Sequence, residues 1–177
     1  MIIAIVSGIV AFIAIIILIM KITSNKMNTY EIKIEEAEKE IEVLLEKKLS
    51  LLSELQKKFS EHDTEIEFNF LCDLDDVSED EFKLNSILNK AYKELKDFLD
   101  DKRSFIPDDE TKEKLDELYQ VDIECTATKN YYNNNAIVLN NKIKKFPNSI
   151  IARFKRLSKK EIYNDPVEEE FEILKKK

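Results

Sequence analysis

The sequence predicts an all-α chain: a single N-terminal transmembrane helix followed by an elongated antiparallel helical bundle. Three observations carry this. The 177 residues include one glycine, Gly8, and three prolines, all at or after Pro107, so the usual turn residues are nearly absent. Charged residues make up 36% of the chain and aromatic ones 9%, a balance suited to long solvated helices. And after an uncharged opening run, apolar residues recur three and four apart, the period of a helix with one buried face.

The opening run is MIIAIVSGIVAFIAIIILIM, residues 1–20, without a charged side chain. At ~1.5 Å per residue such a helix covers about 30 Å, the hydrocarbon thickness of a bilayer. A cleaved signal peptide would place Lys or Arg before the apolar run and small residues after it. Instead nothing basic precedes Ile2, and the exit reads Leu18-Ile19-Met20-Lys21. An uncleaved anchor in contact with membrane lipid is therefore expected. Lys21, Lys26 and Lys33 follow the span, which predicts an outside N-terminus and a cytoplasmic C-terminal domain. On that topology an impermeant thiol reagent on intact cells should reach neither Cys72 nor Cys125.

The first amphipathic helix is expected over about 28–60, with Tyr30, Ile34, Ala37, Ile41, Leu44 or Leu45, Leu52, Leu55 and Phe59 on one seam. Nothing between Met20 and Tyr30 would interrupt a helix continuing from the span. Residues 61–81 lose the period and form a connection that is long for a bundle. Ser78 and Glu81 have the spacing of a capping box, flanked by Val77 and Phe82 at the staple positions. A second helix then runs about 79–103, stopped by the bias of Pro107 on Ile106. Asp108 reads as the next N-cap, with Asp109 and Glu110 in the first turn where the helix dipole favours acids. The third helix runs about 109–146 and ends at Pro147. A short helix is expected over about 150–163. The bundle thus occupies 21–163, and 164–177 is a polar tail.

The third helix carries five asparagines between Tyr131 and Asn141, although Asn is a mediocre helix former. Asn133 and Asn140 are seven apart, as are Tyr132 and Leu139, and Ala136 and Ile143. The asparagines accompany a hydrophobic seam. At least one of Asn133 and Asn140 is expected to be buried with a register role, so that leucine in its place keeps or raises stability. The other three are expected to face solvent. These residues resemble the signature of the LemA family of bacterial membrane-anchored proteins. The resemblance lies in Tyr132-Asn133, Leu139-Asn140, Ile143, then Phe146-Pro147-Asn148-Ser149-Ile150-Ile151-Ala152, with Lys129 where the family commonly has Arg. The sequence departs from the family pattern at Leu139, where a second Tyr is usual. It departs again at Arg153-Phe154-Lys155-Arg156-Leu157, which replaces a Gly-containing stretch. The resemblance implies a helical bundle on one bacterial membrane anchor, and it carries no enzymatic reaction.

No catalytic, cofactor or metal residues are expected. A lone His62 excludes a multi-histidine metal site, and the single glycine excludes a phosphate loop or dinucleotide fingerprint. The stretch from Asp73 to Leu84 starts like a calcium loop but has Val77 at the fifth position, Ser78 where glycine is needed and Leu84 where a bidentate Glu belongs. Cys72 lacks a basic neighbour, and Cys125 reads as a small core residue. A net charge of -8 argues against nucleic acid as a partner.

Charge is unevenly ordered. Residues 61–81 hold ten acids and no Lys or Arg, whereas residues 126–160 hold nine Lys or Arg and no acid. If the second helix returns toward the bilayer and the third leaves again, Lys142, Lys144, Lys145, Arg153, Lys155 and Arg156 meet the acidic connection at a tip far from lipid. The expected function is a membrane-anchored, non-catalytic scaffold or interaction protein with a protein partner, self-association being left open. The rivals are an accessory subunit of a membrane enzyme, and a membrane-shaping or lipid-surface protein using the basic C-terminal segment.

Overall fold

In the computed structural model, residues 2–61, 80–101 and 108–163 are described. They form four helices: α1 (Ile2–Glu61), α2 (Glu81–Asp101), α3 (Asp109–Ile143) and α4 (Asn148–Lys155). The chain divides into two units, one of Met1–Glu38 with Asn130–Ile162 and one of Lys39–Lys129 with Tyr163–Lys177.

The all-α reading holds. α1 is one uninterrupted helix of 60 residues. Its only glycine, Gly8, has open space around it, and no proline interrupts the backbone hydrogen bonds. α1 contains a stretch long and apolar enough to cross a membrane, none of it buried. Beyond it the seam turns inward.

In the second unit, Ile41, Leu45, Leu52, Leu55 and Phe59 of α1 pack with Leu88, Ala91 and Leu95 of α2 and Leu118, Val121 and Cys125 of α3, all buried. Cys125 is the small core residue its seam position predicted. Ion pairs fix the direction of α3: Lys47–Glu117 at 2.9 Å, Lys58–Glu110 at 2.5 Å, and Lys114–Glu54 between them. As one number rises the other falls, so α3 is antiparallel to α1. α2 is not. Lys48 meets Asn89 and Phe59 meets Phe98, so both numbers rise together and α2 runs in the direction of α1. The expectation of a returning second helix is corrected here. The length of the connection was the clue. Antiparallel neighbours need few residues, whereas a parallel pair needs a crossover, and an extended chain reaches about 3.3 Å per residue.

Helix ends follow local chemistry. The Asp80 carboxylate accepts hydrogen bonds from the Phe82 and Lys83 amides at 3.1 and 3.2 Å. Asp80 is therefore the N-cap of α2, a residue as effective as Ser. Glu81, expected to close a capping box, instead accepts from the Tyr163 hydroxyl at 3.0 Å. Ser78 and Val77 lie outside the described residues, as do Cys72, His62, Ile106, Pro107, residues 73–79 and the 164–177 tail. Asp108 caps α3 as read, accepting from the Thr111 amide at 2.7 Å.

In the first unit, Met27, Ile34 and Ala37 of α1 are buried with Tyr132, Ala136 and Leu139 of α3 and Ile151 and Ala152 of α4. α3 ends at Ile143, short of the expected Phe146. Pro147, joined to Phe146 by a cis peptide, occupies the N-cap position of α4, and its carbonyl accepts from the Ile150 amide at 3.1 Å. The last helix is also shorter than expected. α4 stops at Lys155, and Arg156 adopts a left-handed conformation with φ 57°. The Leu157 amide then donates to the Ala152 carbonyl at 2.9 Å, closing the helix end as in a Schellman motif. Residues 157–163 continue without helix. The apolar period at 150–157 persuades a sequence reading to extend the helix, but it carries no information on where the backbone turns left-handed.

Candidate functional site

Two polar constellations stand out, one in each unit. The first lies in the core of the second unit. Lys48 sits on the α1 seam, where the three-four spacing calls for an apolar residue, and its side chain is wholly buried. Its ammonium donates to Asp122 Oδ1 of α3 at 2.6 Å and to Asn89 Oδ1 of α2 at 3.0 Å, and it lies 4.9 Å from the Tyr92 ring centre. One turn away Lys129 is 2% exposed and donates to the buried Asn85 Oδ1 at 3.0 Å. Asn85, Asn89 and Tyr92 are spaced i, i+4, i+7, so α2 presents one polar stripe to a lysine from each of its neighbours.

Burying a charge is costly unless it is paired or hydrogen-bonded: Lys48 is paired with Asp122, and Lys129 is hydrogen-bonded to Asn85. The arrangement selects one alignment of three helices, because sliding any of them by a turn leaves an ammonium in apolar surroundings. Tyr92 feels the same environment: burial first, then Asp122 and then Tyr119 push its phenol up to about 12. A raised pKa means the folded state holds the proton more tightly. The contribution is therefore fully present below the unfolded value near 10 and is lost as pH rises through the folded one. Spectrophotometric titration should show a tyrosine step near pH 12 in the folded protein that Tyr92→Phe removes. Asp122→Asn should bring that step down. An unchanged step in Asp122→Asn would refute the coupling.

The second constellation is a clamp in the first unit. Asn140, 5% exposed, grips the backbone of Lys160 in both directions: its amide donates to the Lys160 carbonyl at 2.8 Å and its oxygen accepts from the Lys160 amide at 2.8 Å. The buried Tyr132 donates its hydroxyl to the Glu161 carbonyl at 3.0 Å. Lys160 in turn pairs with Glu38 of α1 at 2.9 Å. Two residues of the signature, Tyr132 and Asn140, thus hold the non-helical segment after α4. In the second unit Tyr163 stacks on Phe82 with centroids 4.2 Å apart.

The other predicted residues divide. Ala152 is buried, Asn133, Ile143 and Pro147 are half-buried, and Phe146 is exposed. Asn135, expected at the surface, is buried and donates back to the Tyr131 carbonyl at 2.7 Å, whereas Asn134 and Asn141 are exposed as read. Of the basic residues expected at the tip, Lys142 and Lys155 have partners on α1. Lys142 lies 5.4 Å from the Tyr30 ring centre, and Lys155 reaches Asn28 at 3.3 Å and Glu31 at 3.9 Å. These partners are in the half of α1 that follows the apolar run, whereas the acidic connection begins at its opposite end, Glu61. The expectation rested on a returning second helix, and with α2 parallel to α1 it is α3 that comes back toward the span. Lys144, Lys145, Arg153 and Arg156 are exposed. The acidic residues of 62–79 lie outside the described residues.

Sequence reasoning passed over Lys48, Asn85, Asn89 and Asp122. The signal is a gap: the α1 seam is apolar up to Leu45 and again from Leu52, and Lys48 takes the seam position between them. Among the described residues no group of three or more His, Cys, Asp or Glu side chains could hold a metal ion. The family model described as LemA family matches residues 37–173. No curated protein and no solved structure matches the chain.

Proposed function

The chain belongs to the LemA family, and from that premise we propose that it is a membrane-anchored, non-catalytic scaffold or interaction protein of the bacterial cell membrane, crossing once with its N-terminus outside. The observation that carries the reading is the continuity of α1, whose exposed apolar run leads without a break into helix that forms bundle core. The lysines after Met20 support the orientation. Deleting residues 1–24 should release a soluble, helical protein, whereas the full chain should stay in the carbonate-washed membrane pellet. A full-length chain found in the supernatant would sink the anchor.

For the interaction role, the support is on α3. Tyr119, Ile123, Tyr131, Ile137 and Val138 are exposed at 50, 46, 45, 46 and 37%. At ~100° per residue they stay within one half of the helix circumference. Scattered exposed apolar residues are ordinary, but a one-sided series on a helix suits a protein partner. A photo-crosslinking residue placed at Ile123 or Ile137 in native membranes should give discrete protein adducts. One at the exposed Glu40 of α1 or Lys90 of α2 should not. Absence of adducts from both Ile123 and Ile137 counts against the scaffold.

A further inference from the structure

We propose that α4 and the turn before it form a lipid-contacting foot that rests on an anionic membrane surface beside the exit of the span. The inference rests on the anchor reading and goes beyond it, since an anchor alone needs no second contact with lipid.

The placement comes from contacts within the first unit. Phe154 and Lys155 of α4 line one groove together with Ile17, Met20, Lys21 and Ser24 of α1. Those α1 residues are the last turn of the uncharged run and the first turn after it. With residues 1–20 in hydrocarbon, α4 therefore sits at headgroup depth.

The side chains of α4 fit that depth. Ile151 and Ala152 face inward and are buried. What remains outside is mixed: Phe154 is 81% exposed, Phe146 in the preceding turn 80%, and Ile150 42%. Arg153, Arg156, Lys144 and Lys145 are exposed around them, and none makes an ion pair among the described residues. Two bare phenyl rings amid four cations are costly on a surface facing water and favourable at a bilayer interface. There the rings enter the acyl boundary and the cations meet anionic headgroups. Lys155 is not counted, because Glu31 and Asn28 hold its ammonium. Residues 126–160 contain no acid, so nothing in this segment repels an anionic surface.

The chain has no tryptophan, so a single introduced one reports its own site. Full-length Phe154→Trp and Ile13→Trp proteins are reconstituted separately in phosphatidylcholine vesicles, with and without phosphatidylglycerol, using lipids brominated near the headgroup or near the chain end. Ile13→Trp tests the anchor alone and should be quenched by the deep bromines. Phe154→Trp should lose more emission to the shallow bromines than to the deep ones, and more again when phosphatidylglycerol is present. Reversing Lys144, Lys145, Arg153 and Arg156 to Glu in that protein should abolish the dependence on phosphatidylglycerol. Water-like, unquenched emission from Phe154→Trp beside a quenched Ile13→Trp overturns the foot and leaves the anchor standing. It would instead assign the rings to a protein partner or to open solvent. An unquenched Ile13→Trp overturns both. Quenching of Phe154→Trp that ignores lipid charge and the four reversals overturns the assignment of an anionic surface.

Discussion

Asp122→Ala should lower the unfolding free energy by about 3–5 kcal/mol, the largest effect expected of any single substitution. The reason is asymmetric burial of the Lys48–Asp122 pair. The Lys48 side chain has no exposure, whereas that of Asp122 is 25% exposed. Without Asp122 the buried ammonium keeps only neutral neighbours, Asn89 and the Tyr92 ring. Lys48→Met removes the buried charge and leaves a carboxylate that still reaches solvent, so it should cost less. The double variant Lys48→Met with Asp122→Leu replaces the pair by apolar volume and should fall within about 1 kcal/mol of the parent or exceed it. Denaturant unfolding of the detergent-solubilised full chain, followed by circular dichroism, ranks the three. If Asp122→Ala and the double variant proved equally stable, the pair would not be carrying the energetics assigned to it.

Asn140→Leu comes next, at a loss of about 2 kcal/mol. An Asn that only marks register within an apolar seam is replaceable by Leu without loss, which was the expectation from spacing alone. The structure reverses the sign. Asn140 completes two backbone hydrogen bonds of Lys160, and leucine leaves both groups without that partner. Hydrogen exchange should show 157–163 opening in the variant while the α1–α3 core of the second unit stays protected. Asn140→Asp keeps the acceptor and loses the donor, and should fall between. Tyr132→Phe removes a single hydrogen bond to the same segment and should cost about 1 kcal/mol. Unaltered exchange at 157–163 in Asn140→Leu would mean that something else holds the segment.

The helices were legible because their cause is local and repetitive. The seam from Ile34 to Phe59, the acidic cap at Asp108 and the uncharged run before Lys21 each announce themselves within a few residues. The direction of α2 was not legible in the same way. It depends on which turn of one helix meets which turn of another, and both an antiparallel and a parallel packing bury Leu88, Ala91 and Leu95. The buried lysines were half legible. Lys48 interrupts a seam, which marks it, but only the three-dimensional meeting with Asn89 and Asp122 tells a buried ammonium from a lysine whose stem lies along the surface. The clamp was visible as a motif and hidden as a mechanism. Tyr132 and Asn140 have helical spacing with one another, while the backbone they grip lies twenty and more residues downstream, beyond any periodicity.

The distance in sequence between partners has a consequence for synthesis. Glu38 waits for Lys160, 122 residues later, and Asn28 for Lys155, 127 residues later. At roughly 5–20 residues per second, translation takes on the order of 6–25 s to deliver those partners after Asn28 and Glu38 have been made. Until Tyr132, Ala136 and Leu139 have been made, Met27, Ile34 and Ala37 on the α1 seam lack the α3 residues buried with them. A nascent chain already tethered by its first helix would hold an uncovered apolar ridge close to the bilayer, where neighbouring copies on the same polysome are at their most crowded. The charges flanking the ridge, Glu35, Glu36, Lys39 and Glu40 among them, keep it hydrated until the last quarter of the chain arrives to close it.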